Sequence, residues 1–527
     1  MTGERAPETE NDAAVLRQLQ TGWFDRVPAR YWLTRFVLLR GLGFVHVVAA
    51  IVLLSQMGPL IGSEGLMPAA GYLERIGATT GFWEWPTLFW FDCSDAVMAA
   101  LAWLDLVLAC LLMLGVGNGL LVAALWLIYL SFCHVGQTFW GYGWEMLLLE
   151  ATFLAIFLCP LRGLRALPSD HAPPTPVIWM LRWLVFRVMF GAGLIKIRGD
   201  GCWVELTCLV HHYETQPVPH PLSWLLHQAP LWFHQAGALV NHFVELVVPF
   251  GVFGPRRLRH LAGTLLLGFQ GMLIFSGNLS FLNWLTLVVC LSCFDDGLLG
   301  RLLPRRLVGL AQAREGSWSD ARSRRIGVGL LALLVAVLSL GPIFNMLSSR
   351  QAMNTSFDPL HLVNSYGAFG SVGKERNEVV LQGTDATVPD DSAHWADYEF
   401  YCKPGDVERR PCLITPYHHR LDWQMWFAAL GDYTREPWLL HLIYKLLNGD
   451  AGARSLIAHD PFEQKPPRYI RAAFYRYRFT RLGDGSDAFW QRERIGNYLE
   501  PLSLRHPGLT RFLVERGWLV PGRARAP

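Results

Sequence analysis

Charge is scarce in this chain of 527 residues: Asp, Glu, Lys and Arg make up 17%, against 52% hydrophobic and 13% aromatic residues. Ordinary soluble domains carry roughly a quarter of their residues as charges, so the shortage excludes a string of such domains and points to a polytopic membrane protein. A net charge of +3 leaves no basic footprint for a nucleic acid. Neither a Gly-x-Ser-x-Gly elbow nor a Walker loop occurs, which removes the common hydrolase and nucleotide-binding readings. No internal repeat is visible, which weighs against a transporter built from two halves. The N-terminus lacks the basic start, short apolar core and cleavage site of a signal peptide, so the first membrane helix is expected to do the targeting. Donors for a metal gather only at His211, His212, Tyr213, Glu214 and His220. Adjacent histidines there and at His418-His419 lack the i, i+4 spacing of a helical zinc site, and no metal or other cofactor is expected.

What the chain does have is apolar runs of membrane length, at 36–56, 96–114, 119–135, 143–159, 177–195, 236–253, 261–276, 279–294 and 326–347. They predict a multi-pass α-helical bundle of about nine spans over 36–347, in contact with the lipid bilayer. With a cytoplasmic segment at 1–35, the inside segments hold 17 Lys and Arg and the short outside loops three. That asymmetry follows the positive-inside rule and puts 348–527 outside. The outside loops 57–95 and 199–235 are rich in tryptophan and too long for simple connectors, so they are expected to share the capping of the outer mouth. After Ser348 the periodicity changes: RNEVVLQG, DYEFYCK and RAAFYRYRFTR alternate as strands, while 421–430 and 437–447 read as short helices. This predicts a soluble, strand-rich α+β domain on the extracytoplasmic side, periplasmic or lumenal.

Charges inside the spans single out candidate residues. Asn241, His242 and Glu245 share one helix face, and Glu145, Arg182 and Arg187 stand in neighbouring spans. Buried charges need partners, so a buried polar cluster is expected, with Arg187 pairing to Glu145 or Glu245. Lys196 ends the fifth run. Its amine would either snorkel to the outer interface or sit partly desolvated as a general base. Gly191, Ala192 and Gly193 form a small-residue patch that a helix or a ligand can approach. Five of ten cysteines, Cys110, Cys133, Cys159, Cys290 and Cys293, fall in or at the ends of apolar runs. Cys402 and Cys412 bracket a turn on the oxidising side and are expected to form a disulfide; Cys202 and Cys208 form a second close pair, for which Cys93 is a competing partner.

Five motifs, GSEGLMPA at 62–69, FWGYGWEMLLLEATFLAIFLCP at 139–160, GAGLIKIRGDGCWVEL at 191–206, NSYGAFGSVGKER at 364–376 and YHHRLDWQMWFAAL at 417–430, resemble in sequence and order the lipase maturation factor family. The resemblance implies a membrane-embedded, chaperone-like maturation factor that assists folding or assembly of secreted clients. In vertebrate members these are homodimeric lipases of the endoplasmic reticulum. Trp423, Trp426 and Phe427 are then candidates for client contact, unless the core of the outer domain claims them. Loops dominated by alanine, arginine and proline, and an end at GRARAP without a retention signal, leave a bacterial inner membrane open as the location. The family is distantly similar to the vitamin K-dependent carboxylases, and AGLIKIRGDGCWVE is similar to the stretch that carries their catalytic lysine. That likeness implies an alternative, an integral-membrane enzyme with Lys196 as general base acting on a lipid-soluble or peptide substrate. The sequence departs from it by having no histidine between Thr138 and Pro160.

Overall fold

The structure, a computed structural model, describes residues 30–164, 171–313, 322–483 and 485–519. Most of the expected cytoplasmic segment, at 1–29, lies outside the described residues, as do Asp484 of a predicted turn and the tail 520–527.

All nine apolar runs are helical. In chain order they form α1 (Trp32–Ile61), α2 (Asp95–Leu114), α3 (Gly119–Val135), α4 (Gly143–Ile156), α5 (Thr175–Gly199), α6 (Leu231–Phe253), α7 (Arg256–Ser276), α8 (Leu282–Cys293) followed by α9 (Asp296–Leu302), and α10 (Arg322–Leu347). Six of them, α1, α2, α5, α6, α7 and α10, are long and apolar enough to cross a membrane; α8 and α9, bent by 120°, give a seventh if taken as one span. This is fewer than the nine expected. With 17 and 14 residues, α3 and α4 reach only about 26 and 21 Å at 1.5 Å per residue, short of a hydrocarbon core of roughly 30 Å. Side-chain caps set several of the starts: Ser94 accepts from Val97 N–H and Asn118 from Leu121 N–H.

Polar contacts collect at the two ends of the bundle. At the first, the Asp295 end, Asp295 accepts from Arg256 at 2.8 Å and Arg259 at 3.0 Å. Beside it Asp296 caps α1 through the Trp32 and Leu33 N–H groups at 2.9 and 2.8 Å. Arg182 belongs here too, donating to the Ser292 carbonyl and the Tyr31 hydroxyl. At the other, the domain end, the C-terminal region sits on the bundle.

That region holds a small pair, β1 (Thr355–Ser356) and β2 (Asn364–Ser365), and a four-stranded antiparallel sheet of β3 (Arg376–Thr384), β4 (Ala396–Asp397), β5 (Tyr469–Phe479) and β6 (Trp490–Leu502) in the order β4-β3-β5-β6. DYEFYCK, expected as a strand, contributes only β4 and a bridge from Glu399 to His459. The long β6 was not expected, because Arg492, Glu493 and Arg494 hide its alternation. Helices α11 (Arg420–Ala429) and α12 (Trp438–Leu447) join the sheet in the domain, with shorter helices at Ala451–Ser455 and Pro507–Glu515. Although strongly apolar, α12 lies in the domain core, with Trp438, Leu442 and Ile443 fully buried.

Each of the two tryptophan-rich loops packs against its own part of the C-terminal domain. The Leu66 carbonyl of the first bonds His441 of α12 at 2.7 Å. The second is held by Arg376 of β3, which donates to the carbonyls of Glu214, Gln216 and Pro217. Disulfides link Cys202 to Cys208 and Cys402 to Cys412, and Cys93 is a free thiol.

A buried ion pair in the wall of a large cavity

Apart from Arg182, which lies at the Asp295 end, the charged candidates separate into three constellations. Arg187 does not meet Glu145 or Glu245. It pairs with Glu150, which the sequence reading passed over, and also donates to the Asn364 carbonyl at 2.6 Å. The second Glu150 oxygen takes the Tyr366 hydroxyl at 2.8 Å and the Asn364 N–H at 3.0 Å, so a carboxylate in mid-helix is satisfied from the C-terminal region. Glu145 pairs instead with Arg420 of α11 at 2.7 Å, and Arg420 stacks 3.9 Å above the Trp140 ring. Neither pair was legible, because partner choice depends on how the helices rotate and on residues more than 200 positions away.

The third constellation is built on α5 and α6. Lys196 does not snorkel. It is 4% exposed, and its ammonium donates to both oxygens of Glu245, at 2.5 and 2.7 Å, and to Asn241 Oδ1 at 3.3 Å, with Trp203 5.2 Å away. The C-terminal segment covers the end of α5, which removes the wet interface that snorkelling requires. Two local features set this geometry. Pro249 has no N–H and clashes with the carbonyl four residues back, that of Glu245. The helix opens there into a π turn over Phe243–Val247, which carries Glu245 inward. Gly193 lets α6 come close, since a Cβ on it would stand 2.7 Å from Leu246 and 3.0 Å from the Glu245 Cβ. His242, expected in the same cluster, turns away and bonds the Trp203 carbonyl at 2.9 Å.

This pair forms part of the wall of a cavity of about 1350 Å³ between α5, α6, α7, α8 and the C-terminal region. Gln270 and Asn283, bonded to one another at 2.7 Å, supply polar groups on the α7 and α8 side. His212 lines the second cap loop's side, where burial and the neighbouring Lys196 ammonium lower its ring to about 4. The roof is aromatic: Trp423, Trp426 and Phe427 of α11 all face the cavity. Trp423 is buried, Trp426 donates to the Thr215 carbonyl at 3.0 Å, and Phe427 is 38% exposed at the rim. Of the three client-contact candidates, only Phe427 is thus substantially exposed. The nearest approach to a metal set among the described residues is Asp200 with Cys202 and Cys208, whose sulfurs are bonded to each other.

Residues 33–301 match the lipase maturation factor transmembrane domain, and residues 362–500 match the lipase maturation factor C-terminal domain. The chain belongs to the lipase maturation factor family. It is 49% identical to lipase maturation factor 1 of Bos taurus, covering 94% of both chains, and 47% identical to that of Homo sapiens, covering 99% of this chain and 96% of the relative. Lipase maturation factor 2 of Mus musculus is 31% identical over 95% of this chain and 87% of its own. No solved structure matches the chain. The first match covers α2 to α8 and nearly all of α1 and α9, the second covers β2 to β5, nearly all of β6, and α11 and α12, and the cavity lies where the two regions meet. None of these relatives is named as a carboxylase, and the amine of Lys196 is held by the Glu245 carboxylate and the Asn241 amide.

Proposed function

We propose that this chain acts as a membrane-embedded, chaperone-like factor that assists the folding or assembly of secreted proteins such as lipases. The observation that carries this reading is that likeness to proteins named for lipase maturation runs through both the bundle and the C-terminal domain, at nearly half identity and nearly full coverage. Geometry supports an outer domain that works as one body with the bundle, since Arg420, Asn364 and Tyr366 satisfy carboxylates of α4. In this reading Phe427 and Leu430, 38% and 63% exposed beside the aromatic roof, face the client, while Trp423 and Trp426 hold the surface in shape and Lys196 fixes α5 to α6 as a positioning residue. Nine membrane passages, with a cytoplasmic N-terminus and the C-terminal domain in the periplasm or the lumen of the endoplasmic reticulum, fit the two polar ends of the bundle. The starts of α1 and α7, the end of α8 and residues 158 and 171 meet at the Asp295 end. The end of α1, the starts of α4 and α8 and the C-terminal domain meet at the other. Both disulfides stand on the domain side, as an oxidising compartment allows.

The test is complementation. Cells lacking their own maturation factor are given this chain and a secreted lipase, and lipase activity per mass of secreted lipase is measured. A rise is expected; an unchanged ratio, with the chain present in the membrane at normal level, overturns the reading. A compartment-specific reporter after Pro527 checks the orientation, and activity confined to the cytoplasm would overturn that part alone.

A further inference from the structure

The cavity's volume, about 1350 Å³, exceeds the roughly 300–1,000 Å³ of sites for drug-sized molecules. Its charged lining residues are all partnered among the described residues: Lys196 with Glu245, Arg376 with Glu378, Glu375 with Arg476, and Asp200 with the N–H groups of Cys202 and Val372. Whatever lies inside therefore meets no unpaired charge, and an ionic ligand would lose its hydration for nothing. A polypeptide segment fits poorly too, because each buried N–H and C=O needs a partner and the surface that the walls present is predominantly apolar. An uncharged hydrocarbon chain has neither requirement.

The way in faces lipid. Near the Asp295 end α6 and α7 are in tight contact, so close that a Cβ on Gly251 would stand 2.9 Å from the Ala262 Cβ. Toward the domain end both helices line the cavity, with Trp232 and Val240 of α6 and Met272 and Phe275 of α7 exposed by 68, 48, 47 and 66%. Exposed apolar side chains on two membrane-length helices mark a cleft that opens sideways into the bilayer, not into water. From there the space runs inward to Met189 and Ala192 of α5 and Asn283 of α8.

We infer that this cavity is a lipid site: a long acyl chain enters between α6 and α7 and lies under the aromatic roof, beside the Lys196–Glu245 pair. The chain belongs to a bilayer phospholipid whose headgroup stays at the cleft. Because the site offers no unpaired cation, it selects by chain, and zwitterionic and anionic phospholipids occupy it alike. The inference goes beyond the maturation reading and does not depend on it.

The experiment uses the full chain in phosphatidylcholine nanodiscs containing a phosphatidylcholine with a diazirine near the end of one acyl chain. After irradiation, labelled residues are mapped by mass spectrometry. Labels are expected on Met189, Gln270 and Asn283, which are 2, 3 and 4% exposed and out of reach of bulk lipid. Ala192→Trp, which fills the interior, should reduce these labels about tenfold, a loss of roughly 1.4 kcal/mol in occupancy, while labels on the lipid-facing Leu239 and Leu265 stay unchanged. Ala236→Trp, at the exposed rim where folding is not at stake, should act in the same direction. Labels confined to Leu239 and Leu265, or equal labelling of the interior in all three proteins, overturn the site. Cross-links from the interior to a co-purified polypeptide overturn the lipid assignment in favour of a client segment. Labelling of the interior by a diazirine fatty acid but not by the phospholipid overturns the bilayer as the source of the chain.

Discussion

Charged groups at the Asp295 end find partners inside the bundle: Arg256, Arg259 and His260 converge on Asp295, and Arg182 reaches Ser292 and Tyr31. At the domain end the partners come from another part of the chain. Glu145 relies on Arg420, and Glu150, already paired with Arg187, is completed by Asn364 and Tyr366. The first arrangement is redundant and local; the second is singular and spans a domain boundary. It follows that the domain end is where one substitution separates two regions, whereas the Asp295 end absorbs such a loss.

Breaking the comparison where it is strongest gives the largest expected effect. Arg420→Met leaves the Glu145 carboxylate without its cation in a fully buried site, and the cost is expected at about 3–5 kcal/mol. Thermal melting together with protease cleavage between bundle and domain measures it. A variant that keeps both the melting point and the protection would show that the pair does not hold the domain down.

The domain end also carries a proton-sensitive contact. Burial lowers His441 to about 4, and its ring bonds the Leu66 carbonyl of the first cap loop. Between about pH 6.5 and 4 the unfolded chain binds a proton there that the folded one does not. Stability is therefore complete above 6.5, falls as the pH drops through that window and levels off below it. A shift of this size corresponds to about 3 kcal/mol. In His441→Gln the slope of melting temperature against pH should flatten over this window; an unchanged slope assigns the acid sensitivity to other histidines.

Lys196 sharpens the comparison, being a singular pair that faces a cavity. Lys196→Met should cost roughly 1–3 kcal/mol, the range for an unsatisfied buried polar group, since Asn241 still donates to Glu245 and the pair faces the cavity. Lys196→Met with Glu245→Gln should recover most of the stability and, with it, client maturation. Failed maturation by a double variant of wild-type melting behaviour would instead assign Lys196 a chemical role. The smallest effect belongs to Arg256→Met at the Asp295 end. Its side chain is 30% exposed and Arg259 remains on Asp295, so a loss below about 1 kcal/mol is expected in the same melting assay.

Much of the architecture was readable beforehand because membrane helices announce themselves by uninterrupted apolar length, and β3 and β5 by plain alternation. The shortness of α3 and α4 was not, since an apolar run does not say where its hydrogen bonds stop. The charges of β6 concealed a strand whose outer face is solvated. Within the site, Asn241 and Glu245 were named from spacing and Lys196 from its place at the end of the fifth run, but their meeting depends on the π turn at Glu245. Pro249 was the available signal for that turn. Trp423, a client-contact candidate with the domain core as its other reading, proved to be buried cavity wall, because α11 turns its aromatic side toward the bundle. Glu150 escaped notice in a run of leucines, although an acid there needs a partner.

The separation of 275 positions between Glu145 and Arg420 also has a consequence in time. At about 5–20 residues per second, translation delivers the arginine roughly 15–55 s after the acid. Through that interval Glu145 has only nearby donors, the Trp144 indole and the Tyr129 hydroxyl. Its place in the first turn of α4, instead of mid-helix, leaves it within reach of interfacial water while it waits. For those roughly 15–55 s a newborn chain of this kind is an incomplete protein, its apolar chamber still without the C-terminal wall that Trp423 and Trp426 supply.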